Sequence, residues 1–289
     1  MFRAQKIEKV YHHLDINFPV RLSHVYIPRK RDYFSGDIHY DLQMIITLSG
    51  REDVVYSEYE NSFLAGQVWW TAPWEPHAGR VASNYFSALV ITIAPEFLGY
   101  LDPFQEVDWL VPFVLPPAQR PNPVSRELRL KVLLLARAII KLERNKPYGW
   151  RTLQWFRIHE IIILMNHLIL PQQTKDGVKE KMSYFRKIIP AIQAVKANPL
   201  KPVSLEDAAG ECLMGRSHFC YVFKQAMGIS FSSFALHART SIAAQALRNQ
   251  DSSIKEVAQK HGFKDVSHFY HVFKKYFKCT PSEYIAKLK

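Results

Sequence analysis

The stretch GRSHFCYVFKQAM at residues 215–227 returns fifty residues later as DVSHFYHVFKKYF at 265–277. Ser217, His218, Phe219, Val222, Phe223 and Lys224 recur as Ser267, His268, Phe269, Val272, Phe273 and Lys274. Self-similarity at a fixed offset means two copies of one supersecondary unit, and two copies of one surface ordinarily meet two copies of one target. At 100° per residue, Phe219, Val222, Phe223 and Ala226 share one helical stripe, while Ser217, Tyr221 and Lys224 lie opposite. The second copy places Phe269, Val272, Phe273 and Tyr276 inside, with Ser267, His271 and Lys274 outside. Each outward face is polar, short at its start and basic at its end.

A shorter apolar pattern precedes each copy: SLEDAAGEC with Leu205, Ala208 and Ala209, and SIKEVAQKHG with Ile254, Val257 and Ala258. These match at an offset of 49, so the turn that follows is one residue longer in the second copy. A short helix, a tight turn and a longer helix with a polar outer face is the helix-turn-helix pattern, whose second helix enters the major groove. Residues 230–249, between the copies, contain few helix breakers. A continuous helix of ~19 residues there would be ~28 Å long, near the ~34 Å between successive major-groove faces of one side of B-DNA.

Charge supports a polyanionic partner. The formal net charge is +12. Residues 178–289 hold 18 Lys+Arg against 8 Asp+Glu, whereas residues 1–112 hold 9 against 14. Basic charge is therefore concentrated where the repeat lies, on a surface suited to nucleic acid or an anionic membrane, or else to solvation alone.

This arrangement resembles the AraC/XylS transcription regulators over about residues 183–289. The matching residues are Phe223-Lys224, Gly228, Arg239 and Ala243, then SIKEVAQKHGF at 253–263, FKKYF at 273–277 and TPSEY at 280–284. The resemblance implies an all-α domain of seven helices, with two helix-turn-helix units joined by a long central helix. It also implies contact with duplex DNA through Arg216, Ser217, His218, Cys220, Tyr221 and Lys224 of the first unit. Val266, Ser267, His268, Tyr270, His271 and Lys274 are their counterparts in the second. The chain departs from the family's usual pattern at Cys212, Gly215, Tyr221 and His271. The last two replace arginines, which removes bidentate contacts to guanine or phosphate.

The first half reads differently. Between about Ser23 and Ile93, LQMIITL, VVYSEYE, QVWWTA and SALVITI are rich in β-branched and aromatic residues and punctuated by Gly, Pro, Asn or Asp, which predicts a small β-barrel or sandwich. A proline-rich bridge (Pro103, Pro112, Pro116, Pro117, Pro121, Pro123) argues against regular structure there. Two helices follow. The first, about 125–144, carries Leu128, Val132, Leu135, Ile139 and Leu142 on one face. The second, about 150–170, is apolar around much of its circumference and needs more than one neighbour. Such a hairpin either closes the barrel or pairs two copies of the chain. Residues 171–182 read as a linker. The expected fold class is thus α+β, with a barrel and hairpin over 1–170 and an all-α domain over 183–289.

FLAGQVWWTAPWEPHAG at 63–79 resembles the cupin-like sensor domains found ahead of AraC-type DNA-binding domains, through Gly66, Pro73 and His77. That resemblance implies a small effector in the barrel mouth, with His39, Trp70, Trp74, Glu75 and His77 as candidate contacts. Tryptophans that stack on a ring beside Glu75 and His77 would favour a sugar-like molecule. The plainer alternative is that the tryptophans pack the barrel against the helices and His39 is a wall residue. A metal-dependent cupin enzyme would supply a His-x-His pair where GDIHYD offers only His39, so neither a metal nor another cofactor is expected.

No apolar run is long enough for a signal or membrane span. The three cysteines, Cys212, Cys220 and Cys279, lack metal spacing and suit reduced thiols in a cytoplasmic protein. The partners expected are double-stranded DNA, a small effector, a second copy of the chain and, for an activator, RNA polymerase, with no membrane. The leading function is therefore an effector-responsive transcription regulator that is not an enzyme. A metal-dependent cupin enzyme fused to a DNA-targeting module is the alternative.

Overall fold

A computed structural model describes residues 7–286 except 10, 11, 13, 15–18, 33, 58, 74, 99–103, 105, 170–175, 198–200, 228, 248–252 and 278. The chain divides into two compact units, Met1–Met182 and Ser183–Lys289.

The N-terminal unit is built from β1 (Ile7–Lys9), β2 (Val20–Ile27), β3 (Ser35–Ile38), β4 (Leu42–Ser49), β5 (Arg51–Tyr56), β6 (Glu60–Leu64), β7 (Val68–Thr71), β8 (His77–Val81) and β9 (Phe86–Ile93). They form two sheets, ordered β1-β3-β8-β5-β6 and β2-β9-β4-β7. Every pairing is antiparallel except β1 with β3. Ile45, Trp69, Phe86 and Ala88 of one sheet pack on Val54, Tyr56, Phe63 and Val81 of the other, which is the core between the layers. The segment VVYSEYE, expected as one strand, is divided. Its first three residues end β5, and Glu60 opens β6, which folds back on β5 in antiparallel register with Val55 opposite Glu60.

The proline-rich bridge holds one turn of helix, α1 (Val111–Val114), where none was expected. Pro112 sits in its first turn, where a missing N–H costs no helical hydrogen bond. Helix α2 (Arg126–Asn145) opens on Ser125, whose side chain accepts the Leu128 N–H, and closes on Lys146 in the left-handed region. It buries Val132, Leu135, Ala136 and Ile139. Helix α3 (Trp150–Asn166) packs back on it and buries Ile158, Ile161, Ile162 and Met165.

Helix α4 (Asp176–Ala197) begins inside the stretch expected to be a linker, whose residues 171–175 lie outside the described ones. The C-terminal unit continues with α5 (Leu205–Glu211), α6 (Arg216–Met227), α7 (Phe231–Ala246), α8 (Ile254–Lys260), α9 (Val266–Phe277) and α10 (Pro281–Ala286). Aromatic rings make its core. Phe219 and Phe223 of α6 meet Phe231 of α7 at 5.3 and 5.4 Å, and Phe269 of α9 meets Phe263 at 4.7 Å. Among the described residues no helix is long and apolar enough to cross a membrane.

Candidate functional site

The two repeats fold alike. Helix α5 starts at Ser204, whose hydroxyl accepts the Asp207 N–H, and α8 starts at Ser253, which with Glu256 completes a capping box. Four residues (212–215) separate α5 from α6, and five (261–265) separate α8 from α9, which is the extra residue read from the offsets. In both second helices the predicted apolar stripe is buried: Phe219, Val222, Phe223 and Ala226 in α6, and Phe269, Val272, Phe273 and Tyr276 in α9.

On the outer face of α6, Arg216, Ser217, His218, Cys220, Tyr221 and Lys224 are all exposed. Arg216 is ion-paired with Glu206 of α5 at 3.0 Å, and the Tyr221 ring meets Tyr184 edge-on at 6.0 Å. On α9, Ser267, His268, His271 and Lys274 are exposed, whereas Val266 and Tyr270 are half-buried. The Tyr270 hydroxyl shares a 2.9 Å hydrogen bond with Ser282, so this ring braces α10. Asp265 caps α9 by accepting the His268 N–H at 2.6 Å.

Helix α7 couples to the second repeat. Arg239 donates to the Gly262 carbonyl at 3.0 Å, and its guanidinium lies 5.1 Å from the centre of the Phe263 ring. As a 16-residue helix, α7 is ~24 Å long, shorter than the sequence predicted. The remainder of the expected spacer, from residue 248, lies outside the described residues.

The candidate effector residues fare differently. Trp70 is 0% exposed. Its indole N–H donates to the Pro121 carbonyl at 2.8 Å, and its ring packs edge-on against Phe113 of α1 at 4.9 Å. Successive strand residues point to opposite faces, and Trp69 accordingly enters the intersheet core and donates to Glu52 at 3.2 Å. Trp70 thus joins barrel to helix and offers no face for stacking. Glu75 is likewise committed. Arg120 donates to both of its carboxylate oxygens at 2.7 Å, and the same guanidinium group donates to Trp70 O and Leu115 O. Trp74 lies outside the described residues.

His39 and His77 are brought together, and Asp37 joins them. Asp37 of β3 stands directly across from His77 of β8, and His39 follows two residues after Asp37. Gly36 permits this approach, because a Cβ there would lie 2.6 Å from the His77 carbonyl oxygen. Asp37 Oδ1 is 2.8 Å from His77 Nε2 and 3.7 Å from His39 Nε2. Burial opposes a charge on His77, but the Asp37 carboxylate outweighs it and raises the imidazole pKa. Burial, with the His77 charge beside it, pushes His39 down to about 4. His12 meets the His39 ring edge-on at 4.9 Å and pairs with Asp41 at 3.2 Å. Nearby, burial raises the Glu52 carboxyl to about 7 against the pull of the Trp69 N–H. The sequence reading looked for His-x-His and passed over Asp37. The signal was present in GDIHYD, where a carboxylate and an imidazole at i and i+2 share one strand face.

Residues 208–287 match the helix-turn-helix domain family, and the C-terminal unit is an AraC-type helix-turn-helix domain. The chain is 27% identical over 124 residues to an uncharacterized HTH-type transcriptional regulator of Haemophilus influenzae, a match covering 43% of this chain and 41% of that protein. It is 30% identical over 94 residues to the HTH-type transcriptional regulator AlkR of Acinetobacter baylyi, across 32% of this chain and 31% of AlkR. The matches thus span about two fifths or less of these relatives. Among solved structures, ToxT from Vibrio cholerae bound to (E)-4-(8-methylnaphthalen-1-yl)but-3-enoic acid is similar in fold. The alignment covers 94% of this chain and 100% of ToxT, with a TM-score of 0.53 and 17% identity.

Proposed function

We propose that this protein is a transcription regulator that binds duplex DNA through α6 and α9 and responds to a small molecule bound by its N-terminal unit. The observation that carries the DNA half is the duplicated outer face. Ser217, Tyr221 and Lys224 are exposed on α6, as Ser267, His271 and Lys274 are on α9, each opposite a buried aromatic stripe. A hydroxyl near the helix start can meet a base edge or phosphate, and a lysine at its end can neutralise a phosphate. Lys224→Ala and Lys274→Ala should each weaken binding of the full chain to duplex DNA and reduce the slope of log affinity on log salt by ~1. Wild-type affinity that does not change with salt would overturn this reading.

The small-molecule half is supported by the fold, which the N-terminal unit shares with ToxT, a protein solved with an enoic acid bound. Trp70 and Glu75 are engaged inside the fold, so they do not support a sugar in preference to other metabolites. A screen of metabolites by thermal shift tests this half, since a ligand of the native state raises the melting temperature by mass action. On the hairpin, Leu130 and Leu134 of α2 lie one turn apart and exposed, as are Leu153 and Phe156 of α3. We take this surface to pair two copies of the chain, which would let one regulator occupy two DNA sites.

A further inference from the structure

We infer that Asp37, His39 and His77 form a binding site for one divalent first-row transition-metal ion in the N-terminal unit. Their three donor atoms, Asp37 Oδ1, His39 Nε2 and His77 Nε2, all lie within 4.8 Å of one another. Metal–ligand bonds of ~2.1 Å place the ligands of a tetrahedral ion ~3.4 Å apart. The two distances from Asp37 Oδ1, 2.8 and 3.7 Å, bracket that value.

The orientation of both imidazoles is fixed from behind. His39 Nδ1 lies 2.7 Å from the Asp41 carbonyl oxygen, and His77 Nδ1 lies 2.9 Å from the Glu75 carbonyl oxygen. A carbonyl oxygen only accepts, so each Nδ1 carries a hydrogen. His39 Nε2 is then a free acceptor, and an ion bound at His77 Nε2 takes the place of the proton now facing Asp37. Backbone carbonyls behind metal-bound histidines play this part, setting tautomer and ring direction.

A second observation is independent of that geometry. His39 is 1% exposed, yet its buried Nε2 has no hydrogen-bond partner. An unsatisfied buried acceptor of this kind is destabilising, because the group has lost its water without gaining a partner. Asp37 Oδ1, 2.8 Å from His77 Nε2, is likewise buried without a hydrogen-bond partner, and His39 Nε2 faces that same oxygen at 3.7 Å, beyond hydrogen-bond reach. A cation among the three satisfies both. The Asp37 side chain as a whole is 30% exposed, while its Oδ1 is buried with the two imidazoles.

Two imidazoles and one carboxylate suit Zn²⁺, Co²⁺ or Fe²⁺ better than the all-oxygen ions Mg²⁺ and Ca²⁺. Three protein donors leave a coordination position for water or for an oxygen atom of a small molecule. This inference is independent of the DNA-binding reading, because every residue it uses lies in the N-terminal unit.

The test uses untagged full-length protein, stripped with a chelator and titrated separately with Zn²⁺ and Co²⁺. One ion per chain is expected, with d–d bands in the Co²⁺ form. Asp37→Asn and His39→Gln should each raise the dissociation constant by about 100-fold or more, since even outer-shell changes cost 10- to 100-fold. His167→Gln, an exposed histidine after α3, should bind as wild type. Equal affinity in wild type and both ligand variants would overturn the site, as would less than about one ion per ten chains. If the variants do not fold, X-ray absorption on Zn²⁺-loaded wild type decides it. A shell of two imidazoles with oxygen supports the site, and a shell with sulfur or a single imidazole refutes it.

Discussion

Replacing Glu75 by alanine should unfold the barrel more easily and should not report on ligand binding. Arg120 enters the structure as a buried cation, its side chain only 5% exposed, and Glu75 supplies both oxygens of a bidentate pair. Around it, Tyr56 donates to the Trp70 carbonyl at 2.8 Å and the guanidinium lies 5.1 Å from the centre of the Tyr56 ring. Removing one member of a buried pair leaves the other charge uncompensated, at a cost of ~3–5 kcal/mol. Arg120 keeps two carbonyl acceptors, Trp70 O and Leu115 O, and Glu75 is 19% exposed, which puts the expected loss near ~3 kcal/mol. Adding Arg120→Met removes the stranded charge. The double variant still forfeits the hydrogen bonds to Leu115 O and from the Ala72 N–H to Glu75, while Trp70 O retains Tyr56, so it should lose ~1–2 kcal/mol. Urea unfolding followed by tryptophan fluorescence measures this cleanly, since all six tryptophans lie between residues 69 and 155. With a slope of ~1–3 kcal/mol/M, the single variant should unfold at a midpoint lower by ~1–3 M urea. A Glu75→Ala protein within ~0.5 kcal/mol of wild type, or a double variant less stable than the single, would refute the argument.

In the second repeat, Gly262→Ala forces a side chain to φ +70 and a Cβ to 2.9 Å from Pro202. It should cost ~1–2 kcal/mol or more, seen as faster amide exchange in α8 and α9. Arg239→Lys should loosen the same turn by ~1 kcal/mol, because an ammonium group reproduces neither the planar stack on Phe263 nor the rigid donor to Gly262 O. Unchanged exchange across 261–277 would contradict it. Leu130→Glu with Leu134→Glu should leave the protein folded and monomeric in light scattering, whereas wild type should be dimeric at micromolar concentration; a monomeric wild type would remove the proposed pairing.

The sequence made the C-terminal unit legible because its constraints are local and repeated. The stripe Phe219–Val222–Phe223 recurs as Phe269–Val272–Phe273, and serine caps precede both short helices, so periodicity, capping and offset agree. The strands were legible as existing but less so in extent. VVYSEYE looked continuous because nothing local in it marks the end of β5, which is set by pairing with β8 as well as β6. The effector residues were the least legible. Whether Trp70 faces a cavity or α1, and whether Glu75 is free or held by Arg120 forty-five residues away, depends on long-range contacts that no spacing encodes. Asp37 was missed for a different reason: the alternation with His39 is local, but the approach to His77 exists only once β3 pairs with β8.

The claim that α6 and α9 read DNA together is tested most directly by selecting duplexes from a random pool with the full-length protein and footprinting the enriched site. Two protected major-groove segments should lie ~10 bp apart on one side of the duplex. Changing Ser217 and Lys224 to alanine should erase one, and changing Ser267 and Lys274 should erase the other. Failure to enrich any duplex, or a footprint unaltered by either pair of substitutions, would contradict the account.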